Sequence, residues 1–210
     1  ALRGLASPGA EHGRLPVIYH ISPEGKLLNS FTVGEREWNI VDSMATDAQG
    51  RLYMRMRMQE DGSYVRIYSA ESELIGTVAD DDSYAVQGAG ALGQGKDGKV
   101  YAAALVVGDT TAGNIAMTLV SVDPESLRFV PVAGGENVVC SADTIYPWKM
   151  VAAGVSETAD FILWGYNGVD TYRLGETEFT RVQENWEMPC GTEGTCAVLV
   201  PDGRILYIGA

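Results

Sequence analysis

The sequence predicts an all-β protein of the β-propeller class, with about four blades of four-stranded antiparallel sheet. Three observations lead to this: a recurring turn phrase, hairpins repeated at one interval, and almost no helical periodicity. The turn phrase occurs at residues 47–53, 96–101 and 201–207. Each copy is a polar turn ending in Gly, then a basic residue, then an apolar–aromatic step that opens a strand. Gly supplies the positive φ of a tight turn, and Leu-Tyr or Val-Tyr favours a half-buried sheet surface.

The chain opens with a segment of different composition. Residues 1–14 are rich in Gly, Ala, Ser and Pro, and we expect an irregular lead-in there. Residues 15–210 form the predicted propeller domain. Its first element is an outer hairpin at 15–37, in which residues 17–21 and 27–33 are the two strands.

The outer hairpin pattern recurs three more times, about 50 residues apart, and an inner hairpin precedes each recurrence. The copies are marked by Tyr68, Val120 and Tyr172. An inner hairpin without an outer partner ends the chain. The spacing therefore predicts complete blades at about 40–80, 88–133 and 144–187, followed by an inner hairpin at 194–210.

The two incomplete ends allow two architectures. The first outer hairpin and the last inner hairpin can join in a composite fourth blade, which closes the ring and removes exposed sheet edges. Alternatively, the chain is an arc of a larger propeller, whose open edges are covered, for example in a homodimer. Four-bladed rings are uncommon, which favours the arc.

Composition limits the partners. The 210 residues include 28 acidic and 15 basic ones, for a net charge of −13. Nucleic acid binding is disfavoured because phosphate contacts need a surface rich in Lys and Arg. No run approaches the roughly 18 apolar residues of a membrane helix, so we expect no membrane insertion of this chain. The first residue is Ala1 rather than Met, which indicates a processed or excised terminus.

Cysteines and acids offer few metal ligands. Cys190 and Cys196 flank a Gly/Thr-rich loop and are a candidate disulfide, with free buried thiols as the alternative. Both His residues lie near the N-terminus, so no metal site of Cys and His is predicted. Residues 80–82 are three aspartates that could hold calcium, but the interleaved ligand spacing is missing. We expect a solvated loop there and no cofactor.

Aromatic residues at strand ends and in long connections are the first candidates for ligand binding. A propeller gathers such loops at one end of its channel, where flat rings can stack on sugars or grip peptide side chains. The alternative role is packing between blades. These candidates are Trp38, Tyr146, Trp148, Trp164, Tyr166 and Trp186.

Residues 51–58 alternate strictly between basic or aromatic and apolar side chains. Period two places Met54 and Met56 on one face of the strand, with Arg55 and Arg57 on the other. Arg55 and Arg57 are therefore candidate ligand-binding residues in a basic stripe. The alternative is that the Met face packs on a neighbouring sheet while the Arg face pairs with acids.

Catalytic motifs are missing from the sequence. It contains no Gly-x-Ser-x-Gly, His-Glu-x-x-His or phosphate-binding Gly-rich loop, so no catalytic residue is predicted.

One stretch goes beyond the general blade pattern. An aromatic strand at 161–168, a short outer strand at 169–174 and an Asn-Trp step at 185–186 precede the Asp-Gly-Arg turn at 202–204. This stretch resembles the propeller region beside solute-binding domains in extracellular lipoproteins of Gram-positive bacteria. The rest of the chain is similar to TolB-like and NHL-like repeats. The resemblance implies a propeller that acts at the surface of a bacterial cell or outside it.

These observations favour a non-enzymatic extracytoplasmic module that binds a small molecule, glycan, peptide or protein. A calcium-dependent propeller hydrolase or lactonase, with carboxylates from separate blades, is the first alternative. A structural fragment of a larger solute-binding lipoprotein is the second. Fold alone does not decide among them.

Overall fold

The computed structural model describes residues 2–4, 17–33, 40–57, 63–86, 92–107, 117–135, 149–152, 160–165, 168–174, 179–186, 196–199 and 205–208. Over these residues the chain is all-β, and every strand pairing is antiparallel. This described part of the chain contains no helix long and apolar enough to cross a membrane.

The strands form five sheets, here called the first to the fifth in chain order. The first has the order β1-β2-β3, with bounds Leu2–Gly4, Val17–Ile21 and Leu27–Thr32. The second has the order β4-β5-β6-β7, with bounds Ile40–Thr46, Leu52–Arg57, Ser63–Tyr68 and Leu74–Ala79.

The third sheet has the order β12-β11-β10-β8, and β9 also pairs with β10. Its strands β8 to β12 span Tyr84–Ala85, Gly93–Gln94, Val100–Val106, Met117–Asp123 and Arg128–Pro131. The fourth sheet, β13-β14-β15-β16, spans Lys149–Ala152, Phe161–Gly165, Gly168–Leu174 and Phe179–Trp186. The fifth pairs β17 and β18, at Cys196–Leu199 and Ile205–Ile208.

The hairpins predicted from the turn phrase are confirmed. Strand β4 pairs with β5, β9 with β10, and β17 with β18. The third sheet differs in one respect, because its first strand is divided. Short β9 pairs with the start of β10, while β8 pairs with its far end, where Ala85 lies opposite Leu105. Gly93 lies within the two-residue strand β9, and Gly weakens a strand.

The N-terminal segment corrects a prediction. An irregular lead-in was expected at 1–14, but Leu2–Gly4 form β1, which pairs with β2 in the register Leu2 to Tyr19. Pairing satisfies backbone groups that an open β2 edge would leave exposed. Within the described residues, β2 pairs with β1 and β3, while β17 and β18 pair only with each other. The composite fourth blade is therefore not formed by these strands.

The second sheet is covered on both faces. One face packs on the first sheet through a cluster that contains Ile18, Met54 and Met56. The other face packs on the third sheet through a cluster that contains Tyr53 and Val100. Consecutive residues of β5 thus enter different clusters, which confirms the predicted alternation of this strand.

The second to fifth sheets are arranged in chain order, with the first strand of each lying beside the first strand of the next. Strand β4 lies beside β9, β9 beside β13, and β13 beside β17. Side chains strengthen two of these steps. Ser43 Oγ accepts a hydrogen bond from the Leu92 amide at 2.8 Å. Lys96 Nζ lies 3.1 Å from Asp160 Oδ2, and the Asp160 side chain is 4% exposed.

Candidate functional site

A cleft of about 440 Å³, lined by both charged and apolar residues, lies between the second and third sheets. It is bordered by the turn at 47–50, the turn at 95–98 and the turn at 123–126, and we call it the turn cleft. Its volume falls within the roughly 300–1,000 Å³ of small-molecule sites. The charged residues among its lining are Asp47, Arg51, Asp97, Lys99, Asp123 and Glu125.

Two of the bordering turns are joined through main-chain atoms. The Ala48 amide donates a hydrogen bond to the Gly98 carbonyl at 2.9 Å. Gly98 has φ +80°, and a Cβ added there would lie 2.5 Å from the Ala48 Cβ. Position 98 therefore requires Gly for its backbone conformation and for the close approach of the two turns.

Asp47 is the most buried acid of the turn cleft, with a side chain that is 2% exposed. Its Oδ1 accepts hydrogen bonds from the amides of Gln49 and Arg51 at 3.0 and 2.9 Å. Its Oδ2 accepts from Arg51 Nε and from the Tyr53 hydroxyl. Burial alone would raise the pKa of Asp47, but the hydrogen bonds from Arg51 and Tyr53 outweigh it and hold the pKa below its usual value.

Tyr53 is the hydroxyl donor to this carboxylate, at 3.1 Å. Burial, and next the negative charge of Asp47, raise the pKa of Tyr53 well above its usual value. The phenol therefore stays protonated and remains a hydrogen-bond donor across the physiological pH range.

The turn at 95–98 holds a tyrosine in a related way. The Tyr101 hydroxyl donates to Asp97 Oδ2 at 2.7 Å, and the Lys99 amide donates to Asp97 Oδ1 at 3.2 Å. Burial, and next the hydrogen bond to Asp97, raise the pKa of Tyr101. A Cβ on Gly95 would lie 2.6 Å from Tyr101 Cε2, so the ring occupies the space that a side chain at 95 would need.

Asp123 is committed to its own turn as well. Its Oδ2 accepts from Ser126 Oγ at 2.6 Å, and its Oδ1 accepts from the Glu125 amide at 3.1 Å. The Ser126 hydroxyl, followed by the Glu125 amide, lowers the pKa of Asp123. The three aspartates of the turn cleft thus serve as acceptors within the turns that carry them.

The two cations of the turn cleft have longer contacts. Arg51 Nη1 lies 3.4 Å from Glu125 Oε1, and the Glu125 side chain is 85% exposed. Arg51 Nη2 lies 3.4 Å from Gln49 Oε1. Lys99 Nζ lies 4.0 Å from Asp97 Oδ2, and its side chain is 69% exposed. Exposed pairs of this kind contribute about 0–1 kcal/mol and are easily exchanged for other partners.

Five groups among the described residues have a shifted pKa, and none of them titrates near neutrality. One is Arg51: partial burial would lower its pKa, but the hydrogen bond to Asp47 raises it further above neutrality. Asp47 and Asp123 are ionised, while Tyr53 and Tyr101 are protonated. General acid–base catalysis works best when the pKa lies near the working pH. These groups are therefore suited to fixing the turns by hydrogen bonds rather than to transferring protons.

Metal ligation has little support in the described ranges. No group of three or more His, Cys, Asp or Glu side chains there is placed to hold an ion. In the segment 80–82, Asp81 Oδ1 accepts from the amides of Ser83 and Tyr84. Asp80 Oδ1 accepts from the Val86 amide at 2.7 Å. These two carboxylates close the loop that leads into β8.

Among the residues that the structure describes, the turn cleft is lined by none of the predicted site residues. Arg55 lies in β5 and is 7% exposed, and Arg57 is the last residue of that strand. Trp164 in β14 and Trp186 in β16 both pair with Val169 of β15, so they share one cross-strand row of the fourth sheet. Their ligand-binding roles stay predictions.

Cys196 is the first residue of β17. The other predicted residues lie outside the described part of the chain, and so the proposed disulfide stays a prediction; they are Trp38, Tyr146, Trp148, Tyr166 and Cys190.

Eight of the residues that line the turn cleft belong to the first two copies of the turn phrase, at 47–53 and 96–101. From sequence, the phrase predicts turns between strands, and its polar side chains are not among the candidate site residues. A signal was present: the first two copies pair an upstream Asp with a Tyr that follows the basic residue by two positions. An acid and a phenol repeated together indicate a hydrogen-bonded pair.

Comparison with known proteins gives no family. No family model matches the chain, and no curated protein matches it significantly. Two solved structures, of puromycin hydrolase and of its serine-to-alanine mutant complexed with PGG, each give a TM-score of 0.46, at 13% and 12% identity. Each match covers 92% of this chain and 28% of the hydrolase chain. This chain therefore spans less than a third of the length of those proteins.

Proposed function

We propose that this chain is a propeller-type binding module that acts without covalent chemistry and holds its ligand in the turn cleft. The observation that carries the proposal is the chemistry of that cleft. Its Asp47, Asp123 and Tyr53 are fixed by hydrogen bonds and have pKa values displaced away from neutrality. They hold the bordering turns in place, and the more exposed polar groups of Arg51, Lys99 and Glu125 are left to meet a ligand.

The propeller arrangement is supported by the stacking of the sheets. The first three sheets pack face to face in succession, and the first strands of the second to fifth sheets are neighbours in chain order. Because β1 occupies the edge of β2, we favour an arc of a larger propeller over a closed four-bladed ring. The resemblance of residues 161–206 to lipoprotein propellers supports an extracytoplasmic location in a bacterium.

A carbohydrate is the ligand class that the lining fits best. A sugar hydroxyl both donates and accepts hydrogen bonds, so it can use carboxylates, an amide and cationic donors together. The turn cleft offers all of these, and Pro124 and Val130 add apolar surface for the C–H groups of a sugar ring. This combination supports a saccharide over a wholly apolar ligand.

Gln49→Trp tests the proposal by filling the turn cleft. Gln49 is exposed at the third position of its turn, and its amide is held by Asp47 Oδ1. Glu71→Trp is the matched control. Like Gln49, Glu71 is exposed, and its amide donates to a side chain two residues earlier, here Ser69 Oγ. Glu71 does not line the cleft. Both variants and the unaltered protein are screened against neutral and acidic saccharides and peptides, with circular dichroism as the check on folding.

We expect saccharide binding by the unaltered protein and by Glu71→Trp, and its loss in Gln49→Trp. Equal binding by both variants contradicts a site in the turn cleft. Release of a hydrolysis product during a long incubation contradicts a non-enzymatic module and supports the hydrolase alternative.

A further inference from the structure

The acceptors of the turn cleft already form more hydrogen bonds within the protein than its cationic donors do. Asp47, Asp97 and Asp123 each accept at least two hydrogen bonds from the turns that carry them or from the strands that follow. Much of their acceptor capacity is therefore already used. The two cations are held less closely. Arg51 makes one close bond, from Nε to Asp47, while its Nη1 lies 3.4 Å from Glu125 Oε1. Lys99 Nζ lies 4.0 Å from Asp97 Oδ2.

Arg51 is fixed in place by that close bond. Its Nε donates to the buried Asp47 carboxylate, which leaves Nη1 and Nη2 as the edge of the guanidinium that meets exposed side chains. Two parallel N–H donors in a rigid plane match the two oxygens of a carboxylate. A guanidinium that is oriented before binding loses less conformational freedom when a ligand arrives.

Glu125 marks where such a carboxylate would lie. Its Oε1 is 3.4 Å from Arg51 Nη1, although 85% of the side chain is exposed to solvent. A carboxylate already approaches this edge, and its exposed side chain can leave without loss of packing. Glu125 thus occupies the position of an acidic ligand and competes with it.

We infer that the turn cleft selects a saccharide that carries a carboxylate, with the carboxylate replacing Glu125 on Arg51 and Lys99 providing the second positive charge. This inference rests on the proposed function and specifies its ligand class. Four acids line the same cleft, so the attraction for an anionic sugar comes from direct contact with these two cations and not from the net charge of the surface.

Calorimetry with glucuronate and glucose tests the inference, because these sugars differ by the carboxylate. N-acetylglutamate and N-acetylglutamine form a second pair, which tests a peptide carboxylate. We expect glucuronate to bind about tenfold or more tightly than glucose, and Arg51→Gln and Lys99→Gln to lose most of this preference. Glucuronate should also bind more tightly than N-acetylglutamate, and the reverse order overturns the assignment to a sugar.

Glu125→Gln separates recognition from a structural role of Arg51. Removing the competing carboxylate should raise the affinity for glucuronate about threefold relative to the affinity for glucose. A variant that merely damaged the fold would not gain affinity. Glu73→Gln, at an exposed acid of the turn between β6 and β7, is the control that should change neither affinity.

The two proposals fail in different ways. If glucose and glucuronate bind equally, with both lost in Gln49→Trp and neither changed in Glu125→Gln, the inference is wrong and the binding module stands. If no saccharide in the screen binds the unaltered protein, the proposed function fails together with the inference.

Discussion

The turns at 47–50 and 95–98 have the same backbone and different side-chain chemistry. In both, the amide of the first residue donates a hydrogen bond to the carbonyl of the residue that follows the turn. The amide of the final Gly donates to the carbonyl of the first residue. Gly50 and Gly98 have φ values of +78° and +80°. In both, the tyrosine three residues after that Gly donates its hydroxyl to an aspartate.

The two turns differ in where the aspartate lies. Asp47 is the first residue of its turn, whereas Asp97 is the third residue of the other, and Gly95 stands where Asp47 would be. A buried hydroxyl without a partner costs about 1–3 kcal/mol, so each tyrosine needs an acceptor. The fold therefore requires an acceptor for each tyrosine hydroxyl, but that acceptor can stand at either of two turn positions.

The second turn position meets the next sheet in both cases. Ala48 does so through its amide, which donates to the Gly98 carbonyl. Lys96 does so through its ammonium group, which lies 3.1 Å from Asp160 Oδ2. One joint is thus made by main-chain atoms alone and the other by an ion pair.

The largest expected difference between the turns is at their final glycines. Gly98→Ala should cost about 3 kcal/mol of unfolding free energy, because a left-handed Ala costs about 1 kcal/mol and the contact with Ala48 adds overpacking. Gly50→Ala should cost about 1 kcal/mol, since a Cβ there lies 3.7 Å from its nearest neighbour, Ala70 Cβ. Urea unfolding measures both, and equal losses would show that the joint with Ala48 does not crowd position 98.

A second test compares the two carboxylates. Asp47→Asn should cost about 2–3 kcal/mol because it leaves the partly buried Arg51 without its charge partner, while Asp97→Asn should cost about 1 kcal/mol. The folded-state pKa of Asp47 is lowered, so its stabilisation is complete above the unfolded value of about 3.9 and is lost as the pH falls through the folded value. Unfolding at pH 7 and pH 3 should therefore show a smaller penalty for Asp47→Asn in acid, and a penalty independent of pH would contradict this.

The tyrosines provide an effect that is absent at neutral pH and appears only in alkali. The folded-state pKa values of Tyr53 and Tyr101 are raised, so their contribution is complete below the unfolded value of about 10 and falls as the pH rises above it. Each can remove up to about 1.4 kcal/mol per pH unit in that range. Unfolding between pH 9 and 11 should show a shallower slope for Tyr53→Phe combined with Tyr101→Phe, and an unchanged slope would contradict the assigned hydroxyl bonds.

Local patterns predicted much of the fold. The Gly-ended turns located the hairpins because a tight turn demands a positive φ, and period two assigned Met54 and Tyr53 to opposite faces of β5. The pairing of β1 and the division between β8 and β9 were not predicted, since both depend on which backbone edges are open after the sheets stack.

The turn cleft was harder to predict than the strands around it. It exists because turns separated by about 50 residues in sequence come together, and no short-range pattern encodes that meeting. Alternation drew attention to Arg55, which is buried, rather than to Arg51, whose side chain lies at the start of the strand beside the cleft. What distinguishes Arg51 is the capture of its Nε by Asp47, which is a property of the folded turn.

The bond from Ala48 to Gly98 has a consequence for how such a chain can grow. Because this bond joins peptide groups, it requires only a small residue in one turn and Gly in the other. A duplicated unit inserted beside its parent would find a compatible docking point from the outset, before any side chain had adapted. Gene duplication can therefore lengthen the array one sheet at a time, leaving acids, bases and aromatics free to diverge toward new ligands.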